Sequence, residues 1–179
     1  KSSIENISDH DPIMYQISKT PYWRQVRTDR RNKEFQEKRL NRVEYARDHF
    51  TGASGGTIYE GEAFPGEYYG NIFTGDVAGN LVHRDILLAN DTVPYYTAQR
   101  GAREKDKEFL AVSDSWFRPV TFSVGPDGFL YLIDMYRKHI EDPISIPEDL
   151  HADMDFKAGN KYGRIYRIAP GDAGAYKKV

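Results

Sequence analysis

Residues 116–136 constrain the fold of this chain more than any other stretch, because two short apolar runs flank a tight-turn signal. They read WFRPVTFSVGPDGFLYLIDMY, and the turn is Gly125-Pro126-Asp127-Gly128. β-Branched and aromatic residues on both sides of a Pro-Asp-Gly turn are typical of an antiparallel hairpin. The sequence therefore predicts two paired strands, over 119–124 and 129–133.

An earlier segment repeats part of this hairpin. Residues 70–76 (GNIFTGD) and 128–134 (GFLYLID) share the pattern G-x-[IL]-[FY]-x-x-D, and GNLVHR from Gly79 resembles GRIYRI from Gly163. Repetition of a multi-strand unit is typical of a β-propeller, in which one unit cannot bury its faces alone. We therefore expect a mostly β fold that forms a partial β-propeller of about two to three four-stranded blades.

The chain is short for a closed propeller. It has 179 residues, whereas a blade takes about 40 to 50 residues and a ring needs at least about four blades. We predict that the chain is part of a larger protein. Its exposed blade edges should then pair with the remainder of the propeller or with another chain.

The first 50 residues differ in character from the rest. We assign residues 1–50 to an N-terminal connecting segment and residues 51–179 to the propeller blades. Residues 29–50 combine dense charge with apolar side chains at roughly helical intervals, which favours an amphipathic helix or a long ordered connection. Residues 21–24 (PYWR) could form a strand that packs on a blade. Residues 9–11 (DHD) could bind a metal, but aspartates before a proline more often form a turn.

The second unit contains a long insertion over residues 135–162. In the first unit Asp76 and Gly79 are separated by a tight connection, whereas Asp134 and Gly163 enclose this insertion. Within it, residues 145–148 (SIPE) match a capping box and predict a short helix that ends near Met154. Long ordered loops carry function more often than the scaffold does.

Strand direction gathers several polar residues at the end of the second unit where the insertion begins. Arg118 precedes the first strand, and Asp134, Tyr136, Arg137 and His139 follow the second. Pockets of ring folds lie at such an end. Arg118, Tyr136 and Arg137 are therefore candidate cofactor-binding residues, and His139 and Asp134 are candidate catalytic residues.

Each candidate also has a purely structural interpretation. Arg118 and Asp134 could form a buried ion pair that holds the loop. His139 could be a general base, because the unperturbed pKa of histidine suits that task. A lone histidine in a loop is more often solvated or a hydrogen-bonding filler. His83 aligns with Arg167 in the repeat, which predicts an exposed histidine.

Composition excludes several classes of protein. The net charge is −2, from 25 basic and 27 acidic residues, so no overall field favours nucleic acid or an anionic membrane. Without cysteine the chain has no disulfide, no Cys-ligated zinc and no covalent haem. No apolar run approaches the roughly 18 to 20 residues of a membrane span. We predict neither a metal site nor a membrane span in this chain.

Several motifs together resemble a known family. The runs 109–119 (FLAVSDSWFRP), 125–128 (GPDG), 134–137 (DMYR), 140–143 (IEDP) and 163–167 (GRIYR) resemble the planctomycete-type membrane-bound dehydrogenases. So do the runs 53–59 (ASGGTIY) and 79–84 (GNLVHR). The resemblance implies the last part of an N-terminal propeller, similar to those of soluble quinoprotein sugar dehydrogenases.

The same resemblance implies a function and a location. The complete protein would be an exported or periplasmic oxidoreductase that oxidises a sugar or polyol with a quinone cofactor (PQQ), commonly followed by a cytochrome c-type domain. Arg118 and Arg137 would then offer paired donors to the carboxylates of the quinone. The alternative is a non-catalytic propeller module that binds a carbohydrate or a protein partner.

Overall fold

The computed structural model describes residues 13–171, whose regular secondary structure is mostly β strand, arranged in two antiparallel sheets. The first sheet comprises β1 (Ala53–Ile58), β2 (Ile72–Asp76), β3 (Leu81–Ala89), β4 (Tyr96–Arg100) and β5 (Leu110–Ala111). The second comprises β6 (Pro119–Val124), β7 (Leu130–Asp134) and β8 (Arg164–Ile168). The helices are α1 (Tyr22–Glu37) and α2 (Glu148–His151), with 3-10 turns at Gly66–Tyr68, Ala102–Glu104 and Pro143–Ser145.

Both sheets follow the chain as simple meanders. The strand order is β1-β2-β3-β4 in the first sheet and β6-β7-β8 in the second. The short strand β5 pairs with the start of β3, while β4 pairs with the end of β3. The predicted hairpin is confirmed, because β6 and β7 pair antiparallel around the turn at 125–128. Within residues 13–171 the two sheets do not close into a ring.

The repeated motifs occupy equivalent places, as the second strand of each meander. The strands that follow, β3 and β8, are offset by one residue from their alignment in the sequence. Asp76 pairs with Leu81 and Asp134 pairs with Arg164, so Leu81 is equivalent to Arg164, whereas the sequence repeat aligned it with Ile165. His83 therefore corresponds to Tyr166 rather than to Arg167. The predicted exposure of His83 is wrong, because β3 is buried on both faces from Leu81 to Asp85 and His83 is 3% exposed.

An aromatic core joins the two sheets. Its buried members come from both sheets and from the loops beside them: Tyr59, Ala63, Phe64, Phe73, Val82, Phe117, Phe122, Phe129, Leu130 and Leu132. β6 lies directly against β1 and β2, and the Oγ of Ser54 donates to the carbonyl of Pro119 at 2.7 Å. A side chain at Gly75 would place its Cβ 2.6 Å from that same carbonyl oxygen, so the close approach requires glycine.

The N-terminal helix is displaced from its predicted position. It begins at Tyr22 and ends at Glu37, so residues 21–24 start a helix rather than a strand, and residues 38–50 are mainly irregular. Pro21, in an extended conformation, precedes the helix. Leu40 and Val43, which suggested a longer helix, are at least half exposed. Amphipathic helices depend on a surface against which to pack, and these side chains find none.

The insertion is ordered, but its helix starts later than the capping box predicted. α2 begins at Glu148 after Pro147, and the Oγ of Ser145 donates to the carbonyl of Asp142 at 2.8 Å instead of capping the helix. The motif at residues 9–11 lies outside the described residues.

Candidate functional site

Arg118 lies at the point where the two sheets and the insertion meet. Its Nη1 donates to the carbonyl of Val77 in the β2–β3 turn at 2.6 Å, and its Nε and Nη2 donate to the carbonyls of Arg137 and Lys138, each at 2.8 Å. The residue is 4% exposed, and burial lowers its pKa to about 10, with Glu141 opposing that shift and Arg24 adding to it. Arg118 thus fastens the start of the insertion to the first sheet.

Asp134 contacts the backbone of Arg118 rather than its guanidinium. Its Oδ1 accepts from the backbone N–H of Arg118 at 2.7 Å and of Tyr136 at 2.8 Å. Among the described residues its buried Oδ2 has no hydrogen-bond partner. Asp134 therefore closes the end of β7.

The equivalent residue of the first sheet, Asp76, closes β2 with more bonds. Its two oxygens accept from the backbone N–H groups of Thr51, Gly52, Ala78 and Gly79, at 2.6 to 3.0 Å. The aspartate shared by the two repeats thus has a structural role in both.

Tyr136 and Arg137 hold the first turn of the insertion. Tyr136 has a φ of 48°, donates its hydroxyl to Asp114 at 3.0 Å, and lies under the guanidinium of Arg164 at 3.7 Å. Arg137 donates through Nη2 to the carbonyl of Phe156 at 3.1 Å. These contacts connect the insertion to itself and to the second sheet.

His139 is the most unusual of the sequence-predicted residues. Both of its ring nitrogens are buried and have no hydrogen-bond partner among residues 13–171, and its ring packs on Phe156 at 5.6 Å. Burial lowers its pKa, the charge of Lys138 lowers it further, and Glu141 partly opposes the shift. The imidazole is therefore neutral near pH 7 and able in principle to accept a proton.

A cleft opens next to these residues, and we call it the insertion cleft. Its volume is about 390 Å³. It is lined by residues of α1, of segment 44–52, of the β2–β3 turn and of the insertion: Arg24, Arg27, Glu44, Tyr45, Thr51, Gly52, Ala78, Ile140 and Glu141. The cleft thus lies at the end of the sheets that strand direction indicated.

Sequence reasoning missed the arginines that line this cleft. Both Arg24 and Arg27 precede residues 29–50, the stretch that was predicted to be helical. The available signal was the spacing of Arg24, Arg27 and Arg31, which recur at intervals of three and four residues and so lie on one face of a helix.

A second buried polar cluster lies on the face of the first sheet that points away from the aromatic core. The Nδ1 of His83 is 2.7 Å from Glu108 Oε2, and its Nε2 is 3.1 Å from Asp85 Oδ1. Arg100 also pairs with Glu108, at 3.1 Å. This network ties β3 to β4 and to the segment before β5.

Neither a metal centre nor a membrane helix is found in the described part of the chain. Among residues 13–171 no three His, Asp or Glu side chains are grouped so that they could hold a metal ion. In the same range no helix is long and apolar enough to cross a bilayer.

Comparison with known proteins gives one result. No curated protein and no solved structure matches the chain. A family model described as a domain of unknown function, DUF7133, matches residues 3–172, nearly the whole sequence. The chain therefore belongs to the DUF7133 family.

Proposed function

We propose that the two meander sheets are consecutive blades of a β-propeller in an exported protein, and that this part binds a carbohydrate in the insertion cleft. Two features support the propeller. The repeated motifs occupy the second strand of each meander. Leu130 and Leu132 of the second sheet pack on the first sheet, and their equivalents in the first sheet lie on the opposite face from Phe73, the face that carries His83. Successive blades of a propeller stack in this way.

The lining of the insertion cleft supports a saccharide ligand. The cleft combines the ring of Tyr45, 47% exposed, with the hydroxyl of Thr51, the carboxylates of Glu44 and Glu141 and arginine donors. Sugars present hydroxyl groups to paired donors and acceptors, and an apolar sugar face to an aromatic ring. This combination at one concave site is the observation that carries the proposal.

Titration calorimetry of the chain against a panel of monosaccharides and disaccharides tests the binding. We expect Tyr45→Ala to weaken the best ligand about tenfold, because the ring supplies contact area. Tyr69→Ala is the matched control, since Tyr69 is 60% exposed and lies outside the cleft. Equal affinity of both variants and the wild type would place the ligand elsewhere.

A second candidate function is the quinone-dependent oxidation of a sugar or polyol that the resemblance implies for the complete protein. His139 is the residue that such a reaction would use as a base, because neither ring nitrogen has a hydrogen-bond partner among residues 13–171. Both nitrogens are buried, so the insertion would have to open before a substrate hydroxyl came within hydrogen-bond reach. Arg118 does not fit the carboxylates of a quinone, since each of its three nitrogens already donates to a backbone carbonyl.

Dye reduction by the complete protein, supplied with the quinone and a sugar, tests this second candidate. Activity that falls in His139→Gln but not in His151→Gln would support it. His151 is the comparison residue because it also lies in the insertion and packs on the same ring, Phe156. Absence of dye reduction with quinone and substrate present would leave the binding function alone.

A further inference from the structure

Arg24 and Arg27 present guanidinium groups to the insertion cleft, and within residues 13–171 neither has a close carboxylate partner. Nη1 of Arg24 is 4.0 Å from Glu141, and Nη2 of Arg27 is 3.9 Å from Glu44, both at the outer limit of an ion pair. Glu44 instead pairs closely with Arg31, at 3.0 Å. The shortest side-chain contact of Arg24 is with the neutral hydroxyl of Thr51.

These guanidiniums are also largely removed from water. The side chains of Arg24 and Arg27 are 8% and 12% exposed. The buried Nε of Arg27 has no hydrogen-bond partner among residues 13–171. A buried donor without an acceptor is costly, but this Nε is closed off from solvent, so a ligand in the cleft would reach the guanidinium through Nη1 and Nη2.

Four arginines lie in or beside the cleft, and the nearby carboxylates equal them in number. Arg24, Arg27, Glu44 and Glu141 line it, Arg31 lies beside Arg27, and the buried Arg118 also feels Asp134 and Asp114. Burial and then the charge of Arg31 lower the pKa of Arg27. Like charges held together in this way favour a bound anion, because its charge offsets their repulsion.

We propose that the insertion cleft binds the carboxylate of an acidic sugar, such as a uronic acid, through Arg24 and Arg27. This inference rests on the proposed carbohydrate-binding function and narrows its substrate class. The planar guanidinium matches a carboxylate in a bidentate arrangement. Tyr45 and Thr51 line the same cleft and would contact the sugar ring.

Calorimetric titration with D-glucuronate and D-glucose tests the proposal, because the two sugars differ only in the carboxylate. We expect glucuronate to bind at least about tenfold more tightly. Arg27→Met should remove most of that preference. This variant leaves no unpaired carboxylate, since Glu44 keeps Arg31. Arg103→Met, at a residue whose side chain is 70% exposed and outside the cleft, should change neither affinity.

Arg27→Lys provides a second variant if Arg27→Met does not fold. Lysine keeps the charge but loses the planar pair of donors, so we expect a partial loss of glucuronate affinity. Glucuronate affinity equal to that of the wild type in either folded variant would overturn the proposal.

The remaining outcomes separate this inference from the function on which it rests. Equal affinity for the two sugars would overturn the carboxylate site and leave carbohydrate binding standing. Binding of citrate but of no sugar, lost in Arg27→Met, would support the carboxylate site and overturn the carbohydrate function. No binding of any of the three would overturn both.

Discussion

At the scale of single residues, the equivalent aspartates of the two repeats differ in the hydrogen bonds that they accept. Asp76 and Asp134 end equivalent strands, yet Asp76 accepts hydrogen bonds with both oxygens and Asp134 with only one. The repeat pattern in the sequence identifies both positions. It does not show this difference, which depends on the chain segments that come close in the fold.

Asp76→Asn should therefore cost more stability than Asp134→Asn. In Asp76→Asn one oxygen becomes an NH₂ group that faces two N–H donors, a loss of about 3 to 6 kcal/mol at about 1.5 to 3 kcal/mol for each charged hydrogen bond. Asparagine at 134 can keep both bonds through its remaining oxygen, so we expect about 1 kcal/mol. Urea unfolding followed by circular dichroism measures both. A larger loss for Asp134→Asn would contradict this account.

Arg118→Ala should lower stability strongly, because it leaves three carbonyls of the insertion and the β2–β3 turn without their donor. We expect a loss of about 3 to 5 kcal/mol, as for other buried charged groups removed from their partners. Arg137→Ala, which breaks one described hydrogen bond, is the comparison. An unchanged melting temperature in Arg118→Ala would contradict this structural role and would again make Arg118 a candidate ligand-binding residue.

His83 gives stability a defined dependence on pH. Burial by itself would lower its pKa, but hydrogen bonds to Asp85 and Glu108 outweigh burial, and the pKa is raised. The protonated form is therefore favoured in the folded state. Its contribution is fully present below about pH 6.5, the value of an unfolded histidine, and is lost as pH rises through the raised folded pKa.

The matching measurement compares the wild type with His83→Gln by urea unfolding at several pH values from 6 to 9. We expect the difference in unfolding free energy to shrink as pH increases, because only the wild type loses a charged partner of Glu108 in that window. A difference that stays constant or grows with pH would show that His83 is neutral in the folded protein.

At the scale of elements, the contact between β6 and β1 depends on backbone that comes too close for side chains. Gly55 has a φ of +63°, and a Cβ at this position would lie 2.6 Å from the Cα of Thr121. Two strands of different sheets thus touch through their main chains. The hydrophobic pattern predicted β6, whereas its close contact with β1 is a property of the packed sheets.

Gly55→Ala should separate β1 from β6 and lower stability by about 2 to 4 kcal/mol, from a left-handed backbone and from overpacking. Gly66→Ala is the matched control, because a Cβ there meets no atom within 4 Å and the φ is not positive. We expect the control to change stability by less than about 0.5 kcal/mol. Thermal unfolding of both variants checks this, and similar melting temperatures would contradict it.

At the scale of the whole molecule, β8 leaves apolar side chains and one edge of the second sheet exposed. Ile165 on β8 and Ile133 on β7 are 70% and 43% exposed, and in the described residues β8 pairs only with β7. Unpaired edges with apolar faces associate with further β structure. A neighbouring blade would cover both.

We therefore expect the isolated chain to associate with itself through β8 as its concentration rises. Ile165→Lys should reduce that association, because a lysine on an edge strand opposes pairing. Ile144→Lys is the control, since Ile144 is 91% exposed but lies in the insertion. Sedimentation velocity measures the mass of each variant, and a wild type that is monomeric at every concentration would contradict the expectation.

The sequence by itself determined the strands of the second unit, the equivalence of residues 70–76 with 128–134, and the end of the sheets where the insertion begins. These features follow from local turn chemistry and from alternation along a strand. The helix position was wrong, because the apolar spacing of residues 40–45 had no surface on which to pack.

Only the tertiary structure decided what the polar residues do. The burial of β3 on both faces placed His83 inside the protein. Backbone carbonyls accept hydrogen bonds from the guanidinium of Arg118, which the sequence predicted to be a ligand anchor. Arg24 and Arg27 line the insertion cleft because α1 lies next to the ends of the sheets and to the insertion, which are distant from α1 in sequence. Contacts between distant segments leave no local pattern, so the roles of these side chains became visible only when the chain was folded.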